Sequence, residues 1–344
     1  MRLGVLTGGG DCPGLNAAIR AIVRGLDSRG HEVLGVREGW RGLAESRVLS
    51  LDRHAVAGIL PRGGTILGTS SFDPFREEGG LDAVLTTTAE LGLGGVIAIG
   101  GEGTLGVAHR LWAEHRYPVV GVPKTIDNDL AGTDVTIGFD TAVHVCTAAI
   151  DRLHTTAESH NRVMVVEVMG RNTGWIAAAS GIAGGADVIL VPEKPTPIED
   201  VCDHIRARHE EGRDFSIIVV AEGYPLTRRS GEQESPVIQE VDNYGYERLG
   251  GIGRVVAGEI ERLTGFEARV TVLGHVQRGG TPSARDRFLA TRLGLRAMEL
   301  AVGGAWGRMA SVQGFEIVDV SLEEATRERR AVPVEWIAAG GLVA

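Results

Sequence analysis

The stretch LGVLTGGGDCPGLNAAIRAIVRGL, residues 3–26, decides the fold class. Leu3–Thr7 is a short, continuous apolar run, the pattern of a strand buried on both faces of a parallel sheet. Three glycines and Asp11 follow it. Apolar side chains then fall at Leu15, Ala18, Ile19, Ile22, Val23 and Leu26. That spacing predicts an amphipathic helix.

Working outward, the same alternation recurs along the chain. Apolar runs at Val96–Ile99, Val119–Val122, Val163–Val168, Val188–Val191, Ile217–Ala221 and Val270–Leu273 predict further buried strands between helix-period segments. Strands alternating with helices predict an α/β protein with mainly parallel, doubly wound sheets. With 344 residues there is room for two such Rossmann-like lobes. The polar run Arg228–Pro236 is expected to be a surface excursion.

Composition narrows the function. Glycine accounts for 50 residues and proline for only 12, with no fixed period, so the excess belongs to tight turns rather than to collagen or linker sequence. The formal net charge of −10, with no basic block to offset it, argues against nucleic acid or an anionic membrane as the main partner. Cys12, Cys146 and Cys202 are odd in number and far apart, which suits a cytoplasmic protein without disulfides or a zinc knuckle. The chain opens directly on an apolar run, with no signal-peptide pattern, and no apolar stretch reaches bilayer-spanning length.

Directly after the strands come polar or glycine-rich turns: Gly8–Asp11, Gly100–Thr104, Pro123–Asp129, Met169–Arg171, Pro192-Glu193, Glu222-Gly223 and Gly274–Arg278. Open α/β sheets bind ligands at the carboxyl ends of their strands, so acids, arginines and a histidine gathered there predict an enzyme or a ligand-binding protein. The turn at Gly8–Asp11 suits a phosphate at a helix N-terminus, and reads equally as a structural turn capped by Asp11. Glu102 among glycines suits phosphate with magnesium, or a plain turn with a solvated acid. Asp127 and Asp129 offer a proton acceptor for a hydroxyl nucleophile, or an Asx-rich turn holding its own backbone.

Cations add a second line of argument. Lys124 and Lys194 are the only lysines, arginine supplying the other 33 of the 35 cations. A lysine beside two phosphate-type turns suits a point-charge requirement, although chance accounts for it equally well. Arg162, Arg171, Arg269, His275 and Arg278 form an anion-binding set. Arg162 and Arg171 bracket a six-residue run, which as a strand separates them by roughly 20 Å. Arg269 and Arg278 likewise bracket Val270–Leu273. If all serve one kind of pocket, the leading arginines reach a neighbouring subunit's site, which predicts an oligomer.

Taken together, LTGGGDCPGLNAAIR, GGEGT, PKTIDND, NRVMVVEVMGR, the Glu222 turn and ARVTVLGHVQRGGTPSARDR, in this order over nearly the whole chain, resemble the bacterial-type 6-phosphofructokinases. The resemblance implies a donor lobe at 1–138 plus about 277–327, and a sugar-phosphate lobe at 139–276 plus the C-terminal tail. It implies phosphoryl transfer to the 1-hydroxyl of fructose 6-phosphate, with Mg²⁺, by a homo-oligomer, a tetramer. Residue by residue, Asp127 resembles the general base, Thr125 a substrate and phosphoryl contact, and Arg171 the residue that stabilises the transferring group. Glu102 matches the magnesium-linked acid. Gly10, Gly103 and Thr104 fall in the donor loops, with Lys124 beside them. Met169, Gly170, Glu222, His275 and Arg278 match the sugar-phosphate pocket. Arg162 and Arg269 match arginines lent across a subunit interface.

The donor divides the family. Pyrophosphate-using relatives resemble GGxD, with aspartate where this chain has Gly103. Such a side chain would occupy the space of an α-phosphate and repel it. Lys124 resembles the pyrophosphate-using members, as in an actinobacterial group that mixes the two features. An aspartate at 103 excludes ATP whereas a lysine suits either donor, so the resemblance implies ATP as co-substrate. Other possibilities are a pyrophosphate-dependent enzyme, a kinase of NAD or a lipid, and a non-catalytic regulatory subunit. Ser71 stands where many ATP-dependent members carry a donor-contacting arginine, with Arg76 a conceivable substitute. Arg20, Arg24 and Arg53 match the family's effector site. His154, Asp187 and Glu211 do not, which puts the usual allostery in doubt.

Overall fold

Burial on both faces organises the sheets. A computed structural model describes residues 1–234, 238–241, 247–333 and 335–336. They form two compact units. The first comprises Met1–Thr141 and Arg278–Arg329, and the second the described residues between 142 and 277 with those from 330 onward.

In the first unit the strand order is Glu316–Ser321, Arg308–Gln313, Val119–Thr125, Val96–Gly100, Arg2–Thr7, Glu32–Val36 and Val48–Leu51. The five inner strands are parallel to their neighbours, and the two outermost strands pair antiparallel. Leu3, Val5, Leu6, Val96–Ile99, Val119, Val120 and Val122 are fully buried. The expected helix runs Leu15–Asp27, and all six of its predicted apolar positions are buried. It packs against the helix Ala284–Val302.

The second unit is built on four parallel strands in the order Ala268–Val272, Val163–Val168, Ser216–Ala221, Val188–Leu190. Every residue of Ser216–Ala221 is buried, which is why this strand reads as an unbroken apolar run.

Strand ends differ from the expectation where pairing, rather than hydrophobicity, decides them. The strand from Val119 continues to Thr125, because Pro123 pairs beside Gly100 while Lys124 and Thr125 pair with Ile137 and Gly138. Lys124 is therefore a strand residue, not part of a turn. The last strand of the second unit begins at Ala268, opposite Val163, so Arg269 lies within it rather than ahead of it. Val188–Leu190 stops before Val191, which instead bridges to Lys194. In the polar run, Leu226–Thr227 pairs with Gln233–Glu234 around exposed Arg229, Ser230 and Gly231, as a surface excursion does. Ser235 and Pro236 lie outside the described residues, as does the tail from 337. Among the described residues no helix is long and apolar enough to cross a membrane.

One buried acid holds the second unit's architecture. Glu167, 2% exposed, accepts from the Gly251 and Gly253 amides at 2.9 and 2.8 Å. It thereby satisfies the start of the helix Ile252–Thr264, which has no side-chain cap. Glu167→Ala strips the partner from two amides and is expected to cost about 2–3 kcal/mol. Chemical denaturation checks this, and an unshifted midpoint would show that the amides find other partners.

Candidate functional site

In the first unit the two predicted glycine turns meet. The Gly8 amide donates to the Ile99 carbonyl at 3.0 Å, and the Gly9 amide to the Ser70 carbonyl at 3.0 Å. The Thr69 hydroxyl donates to the Gly9 carbonyl. Thr104 lies between the turns, 1% exposed, and its Oγ1 has no hydrogen-bond partner among the described residues. The approach is so close that a Cβ on Gly8 would sit 2.5 Å from that oxygen, so only glycine fits. The second turn feeds the helix Glu102–His115, whose start carries no side-chain cap. Gly103 and Thr104 lie in its first turn. A buried hydroxyl without a partner, beside helix-start amides, suits an anionic ligand oxygen.

Lys124 fixes the first turn from below. It is 2% exposed, and its ammonium donates to the Gly8 carbonyl at 3.0 Å and to the Gly10 carbonyl. Burial brings its pKa down to about 8, with the Arg278 guanidinium acting in the same direction and Asp11 and Asp127 partly opposing it. Arg278 donates to the Asp11 carbonyl at 3.3 Å, which places it against this turn. Cys12 is buried and its thiol is pushed up to about 12, so it stays neutral and donates to the Ile137 carbonyl at 3.3 Å. Cys12, Cys146 and Cys202 are all buried thiols outside any disulfide.

Asn128 ties down the loop after Lys124. Asn128 adopts φ 53°, and its side chain accepts from the Thr136 amide at 2.9 Å and donates to the Asp134 carbonyl at 3.3 Å. These bonds reach six and eight residues along the chain, farther than an Asx turn does. Asp127 is 6% exposed, and its amide donates to Thr125 Oγ1 at 3.1 Å. Glu102 pairs with Arg329 at 3.0 Å. Among the described residues no cluster of three or more His, Cys, Asp or Glu could hold a metal. A magnesium ion here would have fewer than three such protein ligands and would rely on phosphate oxygens, a combination magnesium favours.

In the second unit the carboxyl edge of the sheet carries another set. Gly170 and Arg171 have consecutive positive φ values of 147° and 52°, a costly conformation for arginine. It is held from three sides. The Arg171 amide donates to Glu222 at 3.0 Å, the Met169 amide to Gln277 at 3.1 Å, and the Thr173 hydroxyl to the Gly170 carbonyl at 3.0 Å. Gly223 approaches so near that a Cβ would strike the Arg171 carbonyl. Gln277 is the residue that sequence reasoning passed over. Fully buried, it also accepts from Cys146 Sγ at 3.1 Å and donates to the Gly274 carbonyl at 3.0 Å. It ties the turn carrying His275, which is exposed, to the turn carrying Met169, Gly170 and Arg171.

Arg162 and Arg269 are elsewhere in that unit, at the amino edge of the same sheet. Both converge on Glu267, Arg162 at 2.7 Å, and Arg269 also lies 3.8 Å from Glu261. The mismatched effector positions have structural partners: Asp187 pairs with Arg208 at 2.6 Å and accepts from the Ile217 amide at 2.8 Å, and His154 Nε2 lies 2.7 Å from the Gly184 carbonyl. Arg53 pairs with Asp27 at 2.9 Å. Arg76 pairs with Asp73 at 3.4 Å, near Ser71.

Known proteins resemble this chain in sequence and fold. The sequence profile of the phosphofructokinase family, described as Phosphofructokinase, matches residues 2–301. A pyrophosphate–fructose 6-phosphate 1-phosphotransferase of Streptomyces coelicolor is 54% identical over 96% of each chain. An ATP-dependent 6-phosphofructokinase 3 of the same organism is 52% identical over 97% of each. Among solved structures, the phosphofructokinase of Saccharomyces cerevisiae aligns with a TM-score of 0.80 and 32% identity, over 95% of this chain and 45% of the yeast chain. With glycine turns that meet at Thr104, a TIDND loop and an MGR turn in family order, this chain belongs to the phosphofructokinase family.

Proposed function

We propose that the chain transfers the γ-phosphoryl group of ATP to the 1-hydroxyl of fructose 6-phosphate, releasing ADP and fructose 1,6-bisphosphate. Phosphofructokinase chemistry follows from the family. The donor rests on Gly103. Glycine in the first turn of the helix Glu102–His115, one residue before the buried Thr104 hydroxyl, leaves room and no negative charge where an α-phosphate would lie. A pyrophosphate donor is the second reading, favoured by Lys124 and by the relatives of that name at 54–55% identity.

In this reading the residues divide the work. The Gly8 and Gly9 amides are engaged by the Ile99 and Ser70 carbonyls, so the Gly10 amide, the amides at the start of the helix Glu102–His115 and the Thr104 hydroxyl hold the phosphoryl oxygens of the donor. Lys124 keeps Gly8 and Gly10 in place and brings a positive charge to the turn. Asp127 accepts the 1-hydroxyl proton as that oxygen attacks phosphorus, and Thr125 orients the loop from which it acts. Arg171 offsets charge on the transferring group. Glu102 would hold the magnesium ion, which draws electron density from the phosphoryl oxygens. Met169, Gly170, Glu222 and His275 shape the sugar pocket, with Arg278 alongside.

Arg162 and Arg269, at the opposite edge of their sheet, would serve a neighbouring chain's 6-phosphate. We infer a tetramer built on that exchange. Their present partner, Glu267, is exposed and exchangeable.

Two measurements test this reading. Asp127→Ser is expected to lower kcat by about 100-fold or more, the range of general-base removal, while equilibrium binding of fructose 6-phosphate is retained. Near-parent turnover would remove Asp127 from the base role. In the same preparation ATP should support the reaction with a higher kcat/KM than pyrophosphate, and the reverse order selects the second reading.

Lys124 supplies a pH test. Burial lowers its pKa, so the charge is present below about 8 and lost as pH rises through that value. The unfolded chain holds this proton until near the ordinary lysine value, so between the two pH values rising pH favours the folded state. Function runs the other way, since the donor turn loses a cation. The KM for ATP should rise about tenfold above pH 8, as for loss of one charged hydrogen bond. Lys124→Met should be weak throughout and lack that inflection. An inflection that persists in Lys124→Met assigns it to another group.

A further inference from the structure

The geometry points to Arg329 as a charge lock on Glu102, one that sets how much divalent metal the donor turn requires. The inference rests on the reading of Glu102 as the metal-linked acid.

Arg329 follows the helix Leu322–Arg327. Its backbone bridges to Leu130, so main-chain pairing holds it in place independently of the Glu102 contact. Leu130 comes directly after the Asp127–Asp129 segment, and Glu102 opens the helix after the second glycine turn. Arg329 is thus anchored beside one of these loops while its Nε lies 3.0 Å from a Glu102 oxygen at the other.

Exposure decides what this pair can do. The two side chains are 32% and 30% exposed. An ion pair so hydrated contributes little to stability, about 0–1 kcal/mol, so a divalent cation can displace the guanidinium at small cost. The pair nevertheless sets a competition. Glu102 is held either by Arg329 or by the metal, and the apparent metal affinity falls in proportion to the fraction held by Arg329. Before the metal–donor complex arrives, the acid is neutralised and does not repel the donor's phosphates. Afterwards the displaced guanidinium remains close by, tethered at Leu130. Removing the Arg329 charge should therefore tighten metal binding, the opposite of what removing a structural salt bridge or a donor-binding arginine would do.

The test uses Mn²⁺ as the probe and radiolabelled ADP as the reporter. Equilibrium dialysis across a Mn²⁺ series gives the concentration that half-saturates ADP retention by the full chain. Arg329→Met should lower that concentration about two- to five-fold, the range an exposed ion pair can supply. Arg329→Lys, which keeps the charge, should match the parent and controls for folding. Glu102→Gln should abolish the Mn²⁺ dependence. A half-saturating concentration unchanged or raised in Arg329→Met, with Glu102→Gln still abolishing the dependence, overturns the lock alone. If Glu102→Gln keeps the parent's Mn²⁺ dependence, the assignment of Glu102 fails and the lock falls with it.

Discussion

A buried ammonium hydrogen-bonded to two backbone carbonyls is the constraint on which the first unit's chemistry depends. Lys124 reaches the first glycine turn from a strand, where it pairs with Ile137 directly after Pro123 pairs with Gly100. The cost of burying its charge is offset in part by the Gly8 and Gly10 carbonyls. Because those carbonyls accept from below, the first glycine turn is held in one shape beside the second. Thr104 then closes the approach so tightly that neither turn could carry a side chain in its place. A set of amides and one orphaned hydroxyl, fixed before any ligand arrives, is the preorganisation that phosphoryl transfer needs, since its catalysis is mostly positioning and electrostatics.

The second unit solves a different problem by the same means. Arg171 is kept in a left-handed conformation that its side chain disfavours, and the strain is borne by hydrogen bonds from its neighbours. Glu222 fixes its amide and Gln277 the turn before it. Glu222 therefore has a duty to the backbone that does not depend on touching any sugar. Beneath them Glu167 anchors a helix start from the same strand that delivers Arg171. Residues with no chemistry of their own determine where the chemical ones stand.

Much of this was legible in the order of residues, and the remainder was not for physical reasons. Strands buried on both faces announce themselves as apolar runs, so Leu3–Thr7 and Val163–Val168 are unambiguous. Edge strands such as Val48–Leu51 and Glu316–Ser321 are half-buried, and their composition does not separate them from loops. Strand ends are set by hydrogen bonding, which carries no side-chain signature, and so Lys124 reads as turn while it is strand. The turns at the carboxyl ends were visible as glycine and charge. Their convergence on Thr104 was not, since it depends on an approach between segments ninety residues apart. Gln277 was missed because a buried amide serving backbone groups looks, in sequence, like any polar turn residue. Arg329 was missed because nothing local distinguishes it among 33 arginines. A cation shortly after a helix end, facing an acid over two hundred residues away, becomes visible only in three dimensions.

The central claim is that the paired glycine turns, held by Lys124 and closed by Thr104, receive the nucleotide phosphates. Amide hydrogen exchange of the full chain with and without ATP addresses it most directly. The expected result is protection at Gly10 and Asp11 and at Glu102–Thr104, since the Gly8, Gly9 and Leu105 amides already donate within the protein. Unchanged exchange in both segments while the nucleotide is bound would place the donor elsewhere and contradict it.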